Sequence, residues 1–222
     1  VFADGVDFEA SAAYHRLVME LYLLAVCYRE NCAEEVDRSH RDRLRRMARF
    51  VASYSQPDGQ TPRWGDADDA RALPFSSESI GDHRYLVGIV GALFEDEELL
   101  ERAGGPLVEA AWFLGVERAS RIPRYPARRA RSIAFPEGGV FVMANAEDHV
   151  FIDCGPVGLA GRGGHGHNDC LSFEAVLRNE RVVVDCGCYV YTASFAERNA
   201  FRSTAYHNTP CIDGEEINRF IR

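Results

Sequence analysis

The stretch Gly163-Gly164-His165-Gly166-His167-Asn168-Asp169 sets two imidazoles on either side of one glycine, with an amide and a carboxylate directly behind. In an extended segment, residues two apart share a face at about 6.5 Å, so both rings can address one point. Imidazoles placed in this way serve as metal ligands or as acid–base groups near neutral pH. Three further clusters carry chemistry. They are Asp4-Gly5-Val6-Asp7-Phe8-Glu9-Ala10-Ser11-Ala12-Ala13-Tyr14-His15, Val184-Asp185-Cys186-Gly187-Cys188-Tyr189 and Phe201-Arg202-Ser203-Thr204-Ala205-Tyr206-His207-Asn208-Thr209. His167, Asp185 and His207 together make a nitrogen–oxygen–nitrogen set suited to Zn2+. Such a set leaves a fourth position for water or substrate, or else the ion is architectural and pins the loop that carries His165. Singly, each cluster has a plainer reading: Tyr14-His15 as helix packing, Asp185 as turn chemistry, His207 as a hydrogen-bonded structural ring.

Elements must hold these groups. Tyr14, Leu17, Val18, Leu21, Leu24, Ala25 and Tyr28 recur with the spacing of an amphipathic helix, with Ser11 as its N-cap. A second helix is expected over Arg41–Tyr54, with Leu44, Met47, Ala48 and Val51 inward, stopped by Gln56-Pro57-Asp58-Gly59. A polar loop spans Thr61–Leu73, and helical patterns resume over Asp82–Leu93, Glu97–Arg102 and Pro106–Leu114. Paired helices joined by turns suggest stacked α-hairpins.

Arg118–Arg131 holds six arginines and two prolines and marks the domain boundary, either as a solvated linker or as a basic wall for an anionic ligand. Beyond it the pattern is β, with strands expected at Gly139–Asn145, His149–Asp153, Leu171–Leu177, Arg181–Asp185, Val190–Thr192 and Asn208–Asp213. No helical period is read after the boundary. The fold class is therefore α+β and multidomain: helical hairpins over residues 1–122, then an antiparallel sheet system over 123–222 that opens a β-sandwich.

The 222 residues are 46% hydrophobic, ample for a core. A net charge of −9 argues against a nucleic-acid or anionic-membrane binder, and every basic residue is arginine. Seven cysteines without CxxC spacing read as free buried thiols. No apolar run is long enough for a transmembrane helix, and nothing points to an organic cofactor. Val1 falls inside an organised motif, so the chain reads as a piece of a longer protein.

The four clusters, in this order and behind α-hairpins, resemble the heparinase II/III-like family of polysaccharide lyases. The matching pieces are Asp4-Gly5…Phe8-Glu9…Ser11…Tyr14-His15, Pro57-Asp58-Gly59 with Gly65-Asp66, and Gly164-His165-Gly166-His167-Asn168-Asp169…Ser172-Phe173. Val184-Asp185-Cys186-Gly187…Tyr189 and Phe201-Arg202-Ser203-Thr204…His207-Asn208-Thr209 complete the set. The resemblance implies the C-terminal part of an (α/α) toroid followed by the first part of an antiparallel β-sandwich. It implies an acidic, uronate-containing polysaccharide as substrate and β-elimination as the reaction, in the periplasm or outside the cell. By the same resemblance Tyr14 is the acid or acid/base and His165 the base, His167, Asp185 and His207 are zinc ligands, and His15, Asn168, Tyr189 and Arg202 lie against substrate. Arg202 can pair bidentately with a uronate, or equally with a structural acid. Glu9 reads as a support for the helix entrance.

Departures from the family pattern are Cys186 and Cys188 around Gly187, and a carboxylate-neutralising Asn or His that family members carry upstream of the Tyr-His motif. Two other classes stay open. One is a zinc-dependent, cupin-like hydrolase using only the β half, for which Glu174 is poorly spaced after His167. The other is a non-catalytic carbohydrate-binding scaffold of the same fold.

Overall fold

The computed structural model describes residues 1–72, 74–75, 79–105, 107–126 and 131–220. Six helices come first: α1 (Ala12–Asn31), α2 (Arg38–Tyr54), α3 (Arg84–Phe94), α4 (Glu97–Arg102), α5 (Val108–Leu114) and the single turn α6 (Val116–Ala119). Five strands follow: β1 (Ile133–Phe135), β2 (Val140–Ala144), β3 (His149–Asp153), β4 (Phe173–Leu177) and β5 (Glu180–Val183). The helix α7 (Phe195–Arg202) comes last, with a 3₁₀ turn at Thr204–Tyr206.

Ser11 caps α1 as expected, its hydroxyl accepting from the Tyr14 backbone N–H. Helix α2 begins three residues earlier than expected, because the Asp37 carboxylate accepts from Ser39 and caps it. Its inward stripe Leu44, Met47, Ala48 and Val51 is fully buried. The stripe expected of α1 is rotated from the buried face: Val18 and Leu24 pack against the core, but the stripe's centre does not. Leu21 and Tyr28 are 53% and 69% exposed, whereas His15, Arg16, Met19, Glu20, Leu23 and Val26 are buried. The helix is apolar around most of its circumference, so periodicity cannot choose a face. Arg16 and Glu20 turn inward because the following loop offers them hydrogen bonds.

The sheet is an antiparallel meander in the order β1-β2-β3-β4-β5. Between β4 and β5, Arg178 and Asn179 both have positive φ, the type I′ hairpin turn that suits the right-handed twist of paired strands. The face bearing Val140, Val142, His149, Phe151, Glu174 and Val176 is buried, and Val140, Val142 and Phe151 join the hydrophobic cluster of the helices. His149 Nε2 lies 2.8 Å from the Ser53 carbonyl and the Gln56 amide meets Glu174, so polar bonds also tie sheet to helices.

Three expectations about the second half are corrected. Val190–Thr192 and Asn208–Asp213 have no strand partner among the described residues, and a helix, α7, does intrude. Its start carries a legible signal, since Ser194 caps the Glu197 N–H three residues on. The thiols are free but not buried: Cys32, Cys154 and Cys211 are exposed and the other four are half-buried. Of the arginine run, Arg118 and Arg131 pair with Glu30 and Glu98 of the helical part, while Arg128 and Arg129 fall outside the described residues. Among the described residues, no helix is long and apolar enough to cross a membrane.

Candidate active site and cation site

The loop between α2 and α3 brings the scattered clusters together. Its carboxylate Asp66 has no solvent exposure. Two backbone contacts hold it: the Asp66 carbonyl accepts from the Ser11 hydroxyl at 2.6 Å, and the Asp66 N–H donates to the His165 carbonyl at 2.8 Å. Next to it, Gly65 sits at φ +69°, where a Cβ would strike the Ala10 carbonyl oxygen. Only glycine lets the loop pass this close to the start of α1.

The Asp66 side chain serves three partners. Arg198 of α7 pairs with both carboxylate oxygens, His167 Nε2 lies 2.8 Å from Oδ1, and His165 Nδ1 lies 3.2 Å from Oδ2. Burial pushes this carboxyl up, but the bonds from His167 and Arg198 outweigh it and hold the group at about 2. It is therefore a fixed anion near neutral pH. Asp66 orients one histidine of the HxH pair with each oxygen, and Arg198 balances its charge.

His165 and Tyr14 meet as expected. Their rings stack with centroids 3.7 Å apart and planes 17° from parallel, both partly open to solvent. The second nitrogen of His165, Nε2, lies 3.6 Å from Glu9. The Tyr14 hydroxyl donates to Asp68 at 2.9 Å. Tyr191 turns its buried hydroxyl toward that of Tyr14, and the Arg198 guanidinium lies over the Tyr191 ring at 4.8 Å. Burial raises the pKa of Tyr14, Tyr191 lowers it, and the charges of Asp68 and Asp66 raise it. The phenol is thus protonated at neutral pH.

His167 and His207 also converge, with ring centroids 5.2 Å apart. Each has one nitrogen held by a carboxylate: His167 Nε2 by Asp66, and His207 Nδ1 by Asp185 at 2.7 Å. The other nitrogens, His167 Nδ1 and His207 Nε2, are buried without a hydrogen-bond partner. His167, His207 and the buried Asp169 form a group in which one ligand atom from each lies within 4.8 Å of the others. Two orphaned imidazole nitrogens backed by carboxylates are the donor pattern of a divalent cation site, so these residues fit a metal. The expected trio is rearranged. Asp185 stands behind His207, grouped with it and Cys186 on the Nδ1 side, and it also caps the turn by accepting from the Gly187 N–H at 2.7 Å. Glu174, weighed as a cupin-type ligand, instead accepts from Gln56 and the Arg63 N–H.

The residues expected against substrate fare unevenly. His15 is fully buried beside Phe50 and Tyr54, with Nε2 3.3 Å from the Met47 carbonyl. Burial lowers its pKa to about 4, so it is a neutral core ring that touches no cleft. Asn168 is 3% exposed, and its amide is committed to Glu216 and the Asn218 carbonyl, so it braces the loop. Tyr189 is exposed and packs on Phe201, while Tyr191 two residues later lies beside Tyr14. Arg202 stacks over Phe220 and shares a surface cavity with Arg162, Arg219 and Asn168. Among the described residues no carboxylate pairs with its guanidinium, which leaves it open to an anion. Asp68, Tyr191 and Arg198 were not read from the sequence, and Asp66 was matched without a role.

The family model described as Heparinase II/III-like, C-terminal, matches residues 127–222, and that of the Heparinase II/III N-terminus matches residues 1–78. Over 230 residues the chain is 22% identical to a heparin-sulfate lyase of Pedobacter heparinus, and over 228 residues 22% identical to a heparin-sulfate lyase of Bacteroides stercoris. These alignments take in 98% and 99% of the chain but 30% of each relative's length. The crystal structure of a heparan sulfate lyase from Pedobacter heparinus is similar at TM-score 0.69 and 22% identity, over 97% of this chain and 31% of that one. A crystal structure of heparinase III is similar at TM-score 0.73 and 17% identity, over 99% and 34%. At these identities the structural likeness establishes the fold alone.

Proposed function

Because the chain belongs to the heparinase II/III-like family, we propose that its protein is a polysaccharide lyase that cleaves uronate-containing chains by β-elimination. The chain spans about 30% of the curated relatives it matches, so the reading concerns the protein that carries it. The observation behind it is the Tyr14–His165 stack, two proton-transfer groups in contact on a partly open surface, with a carboxylate at each.

The chemistry needs both groups. The C5 proton of a uronate is weakly acidic, so a base must sit within reach of it while an acid meets the departing oxygen. In this reading His165 takes the C5 proton. The C5–H electron pair forms the C4=C5 double bond, and the C4–O bond breaks as Tyr14 protonates the leaving oxygen. The imidazolium then returns a proton to the phenolate, and the pair is restored. Arg202 is the residue proposed to pair with a substrate carboxylate, and Tyr189 lines the outer approach.

His167 and His207, with an acidic neighbour, are proposed to hold Zn2+, which would supply a fixed positive charge and a rigid anchor. Near it the chain's own residues keep the His165 loop in register through Asp66. The reading includes the family architecture, a toroid of helical hairpins before a two-sheet sandwich. The sheet supports it, because its outer face exposes Phe141, Met143, Phe173, Leu177 and Val182, an apolar layer of the kind a second sheet covers. It also includes a periplasmic or extracellular enzyme, for which cell fractionation is the check.

The deciding experiment incubates the protein with uronate polymers and follows the ultraviolet absorbance of the unsaturated uronate. Product that appears with the parent and is lost in Tyr14→Phe supports the roles. Unchanged turnover in Tyr14→Phe and His165→Ala would sink them.

A further inference from the structure

We propose that Asp68 is the positioning residue that makes Tyr14 a proton donor, and that Arg16 holds the loop which presents this carboxylate. The catalytic consequence rests on the lyase reading above; the contact itself does not.

Helix α1 and the Asp66–Ala72 loop run side by side and are joined at successive steps. The Ser11 hydroxyl donates to the Asp66 carbonyl, and the Tyr14 hydroxyl donates to Asp68 Oδ2 at 2.9 Å. Arg16 Nη2 donates to the Ala70 carbonyl at 2.5 Å, and Glu20 Oε2 accepts from the Ala72 N–H at 2.6 Å. Arg16 is only 1% exposed, and its other terminal nitrogen donates to the Ile80 carbonyl at 3.0 Å. A guanidinium is kept this deep only where fixed acceptors receive its rigid fork. Here one acceptor is the Ala70 carbonyl within the loop, and the Ile80 carbonyl and His83 Nε2 (3.3 Å) beyond it hold the other end, so Arg16 sets the loop's path.

That path dictates the direction of Asp68. Its Oδ1 accepts from the Ala70 N–H at 2.9 Å, an Asx turn, which leaves Oδ2 to face the phenol. The other titratable or charged groups around the Tyr14 ring and hydroxyl are His165 on its face, Tyr191 at the hydroxyl, Asp66 farther along the loop, and Arg198 beyond Tyr191. Asp68 is the anion in hydrogen-bond contact. A negative charge there disfavours the phenolate, so the proton stays on Tyr14 until a more basic oxygen, the departing alkoxide, accepts it. The same charge speeds reprotonation by the imidazolium afterwards. A base would need the opposite surroundings.

The test compares Asp68→Asn, which keeps shape and removes charge, with Asp68→Glu, which keeps charge. Two readouts are taken: the pH profile of kcat/KM on a uronate polymer, and the titration of Tyr14 by NMR of 13C-labelled tyrosine, its signal identified with Tyr14→Phe. Asp68→Asn is expected to move the Tyr14 titration and the alkaline limb of activity to lower pH. On that limb activity falls by about tenfold, the size of one neighbouring charge, and Asp68→Glu moves both back toward the parent. Titration of Tyr14 at the same pH in the parent and in folded Asp68→Asn overturns the proposal. A titration that follows the charge while the parent makes no unsaturated product supports the positioning and removes the lyase reading instead.

Discussion

At the scale of single residues, carboxylates orient the rings of the candidate site: Asp68 meets Tyr14, Asp66 meets His165 and His167, and Asp185 meets His207. Loss of either Tyr14 or His165 as Phe or Ala is expected to reduce kcat/KM on a uronate polymer by about 10²–10⁴-fold, measured by unsaturated product. Asp66 has a different signature. It has no exposure and pairs with Arg198, so Asp66→Ala leaves a buried guanidinium without its anion. That is expected to cost about 3–5 kcal/mol in denaturant unfolding, and a stable Asp66→Ala protein would show that the pair carries little. His165 and His167 were legible from type and spacing alone. Asp66 was not, because an aspartate after a glycine in a polar loop looks like ordinary turn chemistry until the fold folds it inward.

At the scale of elements, the sheet and the helices meet through Glu174 of β4. Burial pushes its carboxyl up to about 7, and the nearby charge of Asp185 adds while Arg63 and Gln56 oppose. The folded state therefore holds a proton that the unfolded chain releases near its ordinary value of 4.5. Between those values the folded state binds more protons, so stability falls as pH rises from about 4.5 to 7 and then levels. The penalty above that window is on the order of 3 kcal/mol. Glu174→Gln removes the charge, keeps an oxygen to accept from the Arg63 N–H and gives an NH2 that the unpartnered Gln56 carbonyl oxygen can receive once that amide turns, so it is expected to melt higher than the parent at pH well above the window. The gap should close at acid pH, and a gap of equal size at both ends would contradict the cause given. Helix α1 teaches a related point. Its existence and cap were readable, but its buried face was not, since Arg16 and Glu20 are drawn inward by a loop that sequence periodicity cannot place.

For the molecule as a whole, the site is where distant segments are tied. Asp66 comes from the helical part, His167 from the loop before β4, and Asp185 and His207 from the segments after β5. The ion proposed between His167 and His207 would bind the folded state in preference to the unfolded chain, and so would add stability that grows with the logarithm of its free concentration once the site is filled. Chelation is expected to lower the melting temperature of the protein reversibly, and His167→Ala and His207→Ala to lower bound metal measured by elemental analysis. A melting temperature indifferent to chelator, with no metal found in the parent, would remove the cation from the account. The net charge of −9 does not describe this locality, where Arg198 and Arg202 lie beside the site and Arg162 shares the cavity of Arg202.

Residue types, their order along the chain and the local periodicities already carried the family resemblance, the α-then-β order, the N-cap of α1 and the Tyr14–His165 pairing. These are properties of short windows or of ordered motifs, and they survive without coordinates. The inward face of α1, the pairing of Arg198 with Asp66, the place of Tyr191 beside Tyr14, the full burial of His15 and the bonds of the Asn168 amide to Glu216 and Asn218 came only with the tertiary structure. So did the division of carboxylates, with Asp66 and Asp185 bonded to histidine rings and Asp169 grouped with His167 and His207. The reason is common to all of them. A side chain's direction and partners depend on contacts between residues often dozens to more than a hundred positions apart, as with Asp66 and His167 or Arg198, and such contacts leave no period or spacing in the sequence to read.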